Sequence, residues 1–324
     1  MKHSNIILPL LAAVALSSCN KQAATDALLP EDRIIRVETS VGPDTKGSYT
    51  SDNLDEFVLF VYNWTADEDR YNYKVVFKKV DGDWTPQGGV LPLWRYAEDI
   101  IHMTAIAPPS VLGDNVTSDD FVYGSDDVIA SVQSDQTKED TGSDIIGWSK
   151  YGEAWRFLEY GKVNIDFSHL MSKLSLSFEL ATEFNAQGIP ANDIVSNVII
   201  SGAYNKASLF SDMYTDVSAK PYASDSDIKA YNTSWKSASS KDEKCISEWE
   251  CILVPTKTPT TDAPIDITIT FDVNGVAYSC NVTHGFEAEC NHKLKIIVGS
   301  DVAYPSGMSI SAWTNGGSSD LETE

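Results

Sequence analysis

Ile265, Ile267, Ile269, Phe271 and Val273 alternate with Asp266, Thr268, Thr270 and Asp272. An Asn274-Gly275 pair follows, and Val276, Tyr278, Cys280 and Val282 alternate again. A period of two sends successive side chains to opposite faces of a strand. Asn-Gly accepts the two positive φ angles of a type I′ turn, so the segment predicts a β-hairpin. The same period recurs at Ile35, Val37, Thr39 and Val41, at Leu174, Leu176, Phe178 and Leu180, and at Leu294, Ile296 and Val298. Ile194 to Ser201 reads as another strand. Phe57-Val58-Leu59-Phe60-Val61-Tyr62 is a continuous apolar run of strand length, the pattern of a strand buried on both faces. Asp81-Gly82 sits between Tyr73–Lys79 and Trp84-Thr85 as a second hairpin signal. Met103 to Ala107 ends at Pro108-Pro109, which stops a strand. No long segment carries the 3.6-residue period of an amphipathic helix.

The chain has 324 residues, and domains run to roughly 100–200 residues, so two are expected. Apolar residues make up 42%, enough for packed cores. The fold class expected is all-β, with two β-sandwiches in tandem. The divisions expected are 1–18 as a signal, 19–33 as a tether or propeptide, 34–164 as the first domain and 165–324 as the second. Residues 110–145 are acidic and read as long loops and edge elements. Residues 203–247 are polar and read as an extended loop or long hairpin.

The N-terminus gives an address. Lys2 precedes the apolar run Ile6 to Leu16, and Leu16-Ser17-Ser18-Cys19 closes it. A short basic end, an apolar stretch and small residues read as a secretory signal. The run is too short for a bilayer, which needs about 20 apolar residues, and Pro9 interrupts it. Leu16 to Cys19 resembles a bacterial lipobox, which makes Cys19 the acylated first residue. More than one acyl chain holds a polypeptide durably on a membrane. The expected location is the outer membrane and cell surface, reached through a lipid anchor.

Lys plus Arg total 24 and Asp plus Glu total 47, a net charge of −23. Nucleic-acid binding needs cations to replace phosphate counterions, so that partner is excluded. Catalytic signatures are missing too. There is no G-x-S-x-G elbow and no H-E-x-x-H, and Ser226 to Lys229 is a Ser-x-x-Lys inside a polar loop. Asp119-Asp120 and Asp126-Asp127 match no EF-hand spacing and read as a solvated acidic loop. Cys280, His284, Cys290 and His292 have metal-ligand types. Cys280, however, shares the apolar face of Tyr278 and Val282, and export to an oxidising compartment disfavours thiol ligands. No enzyme activity, metal or cofactor is expected. Cys245, Cys251, Cys280 and Cys290 allow three disulfide connectivities. Cys280 with Cys290 and Cys245 with Cys251 are the candidate bridges, beside free buried thiols. The eight tryptophans read as core residues, with a glycan platform as the alternative.

Asp166-Phe167-Ser168-His169-Leu170-Met171-Ser172-Lys173-Leu174 resembles the F-x-H-x-x-[AS]-K-L segment of the Bacteroidales fimbrillin-like proteins. Phe167, His169, Lys173 and Leu174 carry that match. Trp94 with Ala105-Ile106-Ala107-Pro108, Ile252-Leu253-Val254-Pro255, and Ile310-Ser311-Ala312-Trp313 resemble further segments of the family, in the family's order. The chain departs from the family pattern at Phe286 to Leu294, where many relatives carry Ala-Gly-Lys-x-Tyr. The resemblance implies two transthyretin-like sandwiches and a subunit of type V pili. It implies a lipoprotein precursor whose first strand is removed by a trypsin-like protease. A strand of another fimbrillin subunit then fills the groove. Ile35 to Val41 is the expected first strand, and Arg33 and Arg36 are the candidate processing sites, with Lys46 the remaining basic residue before residue 50. Met308, Ile310 and Ala312 make a short closing alternation before a polar, acidic tail. That leans toward an accessory or tip subunit with an adhesion role, partnered by a host or bacterial surface ligand. The alternative is a monomeric surface glycan-binding lipoprotein.

Overall fold

The computed structural model describes residues 27–42, 49–63, 71–112, 128–138, 142–209, 217–224, 226–257 and 263–312. Cys19, Lys46, Asp119-Asp120, Asp126-Asp127 and Trp313 lie outside them. Among the described residues every regular element is a strand or a short 3-10 turn.

The first sheet contains β1 (Val37–Val41), β2 (Glu56–Asn63), β3 (Asn72–Val80), β4 (Asp83–Pro86) and β5 (Ile100–Ala107). It also takes in β7 (Ile146–Glu153), β8 (Leu158–Glu159) and β9 (Lys162–His169). Its order is β1-β9-β7-β5-β2-β3-β4, with β8 paired to β9. A small sheet is formed by β6 (Val128–Ser131), β12 (Lys206–Leu209) and β13 (Ala219–Ala223). The other two sheets face each other in the second half of the chain. One is β15 (Tyr231–Lys236), β16 (Cys245–Leu253), β10 (Ser172–Leu180), β19 (Cys290–Val298) and β20 (Ala303–Ala312), in that order. Its opposite is β14 (Ile228–Lys229), β11 (Val195–Ser201), β17 (Ile265–Val273) and β18 (Val276–His284).

Both hairpins read from local residue types form as expected. Asp81 and Gly82 have φ of 53° and 92°, and Asn274 and Gly275 have 50° and 80°, the positive values a type I′ turn requires. The apolar run of β2 is also explained. Phe57, Leu59 and Val61 enter one core with Ile35, Val37, Trp94, Ile165 and Phe167. Val58 and Phe60 enter the other with Leu174, Phe178, Ile269 and Ile296. A strand between two cores has no polar face to show.

Three expectations meet a different arrangement. Residues 203–247 are not a loop or one long hairpin; they build β12 to β15 and open β16. Their buried side chains are small or spaced out, such as Ala207, Ala219 and Ala230, so the alternation is faint in the sequence. Within 110–145, β6 is an edge strand of the small sheet, in keeping with the reading of loops and edge elements, and it pairs antiparallel with β12 from the far half of the chain. Cys245, Cys251, Cys280 and Cys290 are all free thiols. Cys245 and Cys251 lie at the start and near the end of β16. Six residues of strand separate them by about 20 Å, against about 7 Å for bridgeable Cα atoms. Cys280 and Cys290 belong to β18 and β19, in opposite sheets. Residues 164 and 165, the expected domain division, fall inside β9, whose pairing runs on to His169.

The two halves are joined by a side chain that acts as a peptide group. Gln136 donates its amide to the Ile252 carbonyl at 2.8 Å, and the Ile252 N–H donates back to Gln136 Oε1 at 2.8 Å. Gln136 is buried. Gln136→Ala leaves both Ile252 groups without that partner in a buried place. It should lower the unfolding free energy by about 1–3 kcal/mol, read from the shift of a urea unfolding midpoint.

Candidate functional site

The segment 27–42 is the part of the fold most separable from the rest. Leu29, Ile35, Val37 and Val41 are buried, whereas Glu31, Asp32, Arg36 and Glu38 face water. β1 is the sheet's edge and pairs parallel with β9, Val37 opposite Val163 and Val41 opposite Phe167. Its seat is the row Val163, Ile165 and Phe167 on β9, with Phe57 against Phe167 at 5.5 Å. If β1 left, β9 would show an unpaired backbone edge and an apolar row. Such an edge pairs readily with another chain.

The approach to β1 is tied down. Ile35 N–H donates to Pro92 O at 3.0 Å, and Trp94 N–H donates to Arg33 O at 2.7 Å. Val163 N–H donates to Arg36 O at 2.8 Å. Arg36 grips Asp32 through both guanidinium nitrogens, at 3.0 and 2.5 Å, and this holds the Asp32 carboxyl down to about 2. The pair is half exposed, so it adds little stability.

These contacts bear on the two candidate processing sites. The carbonyls of Arg33 and Arg36 are each held in a backbone hydrogen bond. A cut after either residue also leaves β1 attached to the body of the protein. The one Lys or Arg between the end of β1 and the start of β2 is Lys46.

Beyond the 43–48 stretch the chain is anchored again. Tyr49 N–H donates to Asp144 Oδ2 at 3.1 Å, while Asp144 Oδ1 meets His169 Nδ1 at 2.6 Å. Asp144 and His169 are 0% and 5% exposed at the side chain. This places the family-like motif. Phe167 and His169 end β9, Leu170-Met171 turns the chain, and Lys173 and Leu174 open β10. Phe167 fills the first core and Leu174 the second. Lys173 pairs with Glu250 at 2.6 Å. The motif is therefore the joint between the two halves. Asp144, Glu250 and Gln136 were not singled out by the sequence. Each is one polar residue among many, and its partner is set by the fold.

The Cys/His cluster is a hydrogen-bonded closure. The Glu287 N–H donates to His292 Nε2 at 3.0 Å, so His292 Nδ1 carries the proton and faces His284 Nε2 at 2.9 Å. A metal-bound histidine donates its second N–H outward, whereas here both His292 nitrogens are already committed. No group of three metal-ligating side chains occurs among the described residues. Burial first, then His284, pushes His292 down to about 4, from 6.5. Burial also pushes His102 to about 4. Both histidines take up protons more readily unfolded than folded. Their contribution is complete above pH 6.5 and is lost as pH falls toward 4. Each should remove up to about 1.4 kcal/mol per pH unit across that window. Urea midpoints measured from pH 7 to pH 4 check this, and His292→Asn should flatten the slope.

Ser226 accepts from Asn205 Nδ2 at 2.6 Å and Lys229 pairs with Asp135 at 3.3 Å, so the Ser-x-x-Lys residues serve different contacts. Trp94 and Trp249 are buried, and Trp84, Trp148, Trp155 and Trp235 are partly buried. No tryptophan among the described residues stands exposed as a sugar platform.

Residues 44–313 match the model of a family described as fimbrillin-like. A candidate cell adhesion protein from Bacteroides uniformis superposes with a TM-score of 0.54 at 16% identity, covering 88% of this chain and 100% of its own. A second, from Bacteroides ovatus, gives 0.56 at 14% identity, covering 88% and 99%. These two likenesses concern the fold. No curated protein matches the chain.

Proposed function

The chain belongs to the fimbrillin-like family, and on that premise we propose a pilus- or adhesion-type subunit at the cell surface whose first strand is exchanged for a strand of another subunit. The observation that carries the reading is β1. It is a short edge strand, parallel to its one neighbour, seated on an apolar row and followed by a single basic residue before β2. The role is structural rather than enzymatic. A trypsin-like cut after Lys46 frees β1 from the body, and the anchor at Tyr49, Asp144 and His169 keeps the new end in place. Incoming backbone groups then pair with β9, and alternate apolar side chains enter the seat. Cys19 carries the lipid anchor that delivers the precursor to the outer membrane. The chain divides into two sandwich domains.

The C-terminal strand supports an accessory or tip position. β20, the last strand among the described residues, is docked along β19 from Val298↔Ala303 to Cys290↔Ala312, which fits a subunit that accepts a strand more readily than it donates one. The adhesion ligand belongs to the surface of a host or another bacterium.

Limited trypsin digestion with N-terminal sequencing tests the processing step. The new N-terminus should be Gly47, and Lys46→Ala should abolish it while Arg33→Ala and Arg36→Ala leave it. A first cut at Arg33 or Arg36 in the folded protein, with Lys46 spared, counts against the reading.

A further inference from the structure

Lys173 is the only lysine buried among the described residues, at 7% exposure. It lies on the central strand β10, between β16 and β19. Its Cα partner on the parallel neighbour β19 is Asn291. Its Nζ meets Glu250 Oε2 at 2.6 Å. Ser175, next on the same face, donates its one hydroxyl proton to Asn291 Oδ1 at 2.9 Å, with Glu250 Oε1 3.2 Å from the same oxygen. Tyr231 OH donates to Glu250 Oε2 at 3.3 Å. An amine, a carboxylate, a hydroxyl and a carboxamide thus meet on three adjacent strands. Farther along the same face, Lys244 and Lys295 both grip Glu179, at 2.9 and 2.8 Å. Those two lysines are about half exposed and form an ordinary charge ladder. A buried lysine is a nucleophile toward a carboxamide on the neighbouring strand when an adjacent base takes its proton.

We propose that Lys173 and Asn291 form an intramolecular isopeptide bond, made by the folded protein itself with Glu250 as acid and base. Lys173 Nζ passes a proton to Glu250 and attacks Asn291 Cγ, while the Ser175 hydroxyl polarises Asn291 Oδ1. The Nζ–Cγ bond forms. Glu250 relays to Asn291 Nδ2 the two protons that Nζ gives up, one as the ammonium is deprotonated and one as the new bond forms; the Cγ–Nδ2 bond breaks, and the nitrogen leaves as ammonium. No oxidant, reductant or water is consumed, and Glu250 ends as it began. One bond would tie β10 to β19 across 118 residues of chain, counted as 291 − 173. It is a single self-modification and does not depend on strand exchange.

Peptide mapping of the full folded chain tests this. Trypsin releases residues 163–173 only when Lys173 is a free amine, because an acylated lysine is not cut. The 163–173 peptide should be missing. In its place should appear residues 163–206, uncut at Lys173 and joined to 258–293, lighter than the sum of those two peptides by about 17 Da, the mass of ammonia expelled by lysine attack. Asn291→Ala and Glu250→Gln should each restore 163–173. Native circular dichroism of both variants checks that they fold. Recovery of 163–173 and 258–293 as separate peptides in full yield from the folded wild type overturns the proposal, whatever the variants do.

Discussion

Asp144→Ala should lower the unfolding free energy by about 2–6 kcal/mol, since it takes the acceptor from two buried groups at about 1–3 kcal/mol each. The carboxylate serves two parts of the fold at once. It takes the Tyr49 N–H and the His169 ring, and it is wholly buried. Truncation takes the 2.6 Å partner from His169 Nδ1 and releases the chain where it re-enters the sheet after β1. Asp144→Asn keeps an acceptor oxygen and nearly the same volume, so it should cost clearly less. Urea unfolding of the two variants separates these outcomes. Equal, small losses for both would mean that the pair is replaceable. A large loss for Ala and a smaller one for Asn is the expected pattern.

A chain beginning at Gly47 should not hold the native fold alone. Leu29, Ile35, Val37 and Val41 leave with the removed segment, and each buried side chain is worth about 1.5–3 kcal/mol. Together that is roughly 6–12 kcal/mol, an upper figure because the unfolded chain also buries some surface. Whole domains are stable by only about 5–15 kcal/mol, so the loss consumes most of what is there. Adding a synthetic peptide of residues 27–42 should restore a cooperative melt, with a midpoint that rises with peptide concentration. A Gly47 chain that melts identically with and without the peptide contradicts the assignment of β1 as a separable strand.

How far the sequence carried these conclusions depends on the range of the interaction. The hairpins at Asp81-Gly82 and Asn274-Gly275 are legible because a turn and its flanks lie within a few residues. β10, β17 and β19 are legible because each buries one face and so alternates. β2 reads as doubly buried for the same local reason. The contacts that hold the halves together act over longer range. Gln136 and Ile252 are 116 residues apart and Asp144 and Tyr49 are 95 apart; no pattern in either neighbourhood points to the other. The joint at Phe167 to Leu174 was located through resemblance, but its work, ending one sheet and starting another, needed the pairing of β9 with β7 and of β10 with β16. The choice between Arg33, Arg36 and Lys46 could not be made from charge alone. It turned on which peptide bonds the fold holds and on which side of β1 each residue falls.

Strand exchange is the central claim, and one measurement meets it most directly. The protein lacking residues 1–19 is digested with trypsin under native conditions until cleavage after Lys46 is complete. It is then run on SDS gels without boiling and sized by light scattering. With a labelled synthetic peptide of residues 27–42 offered as the incoming strand, the account predicts an SDS-resistant complex of the cleaved protein with the peptide that is absent before cleavage and absent in Lys46→Ala. A protein that is cleaved cleanly after Lys46, stays folded and takes up no labelled strand contradicts it.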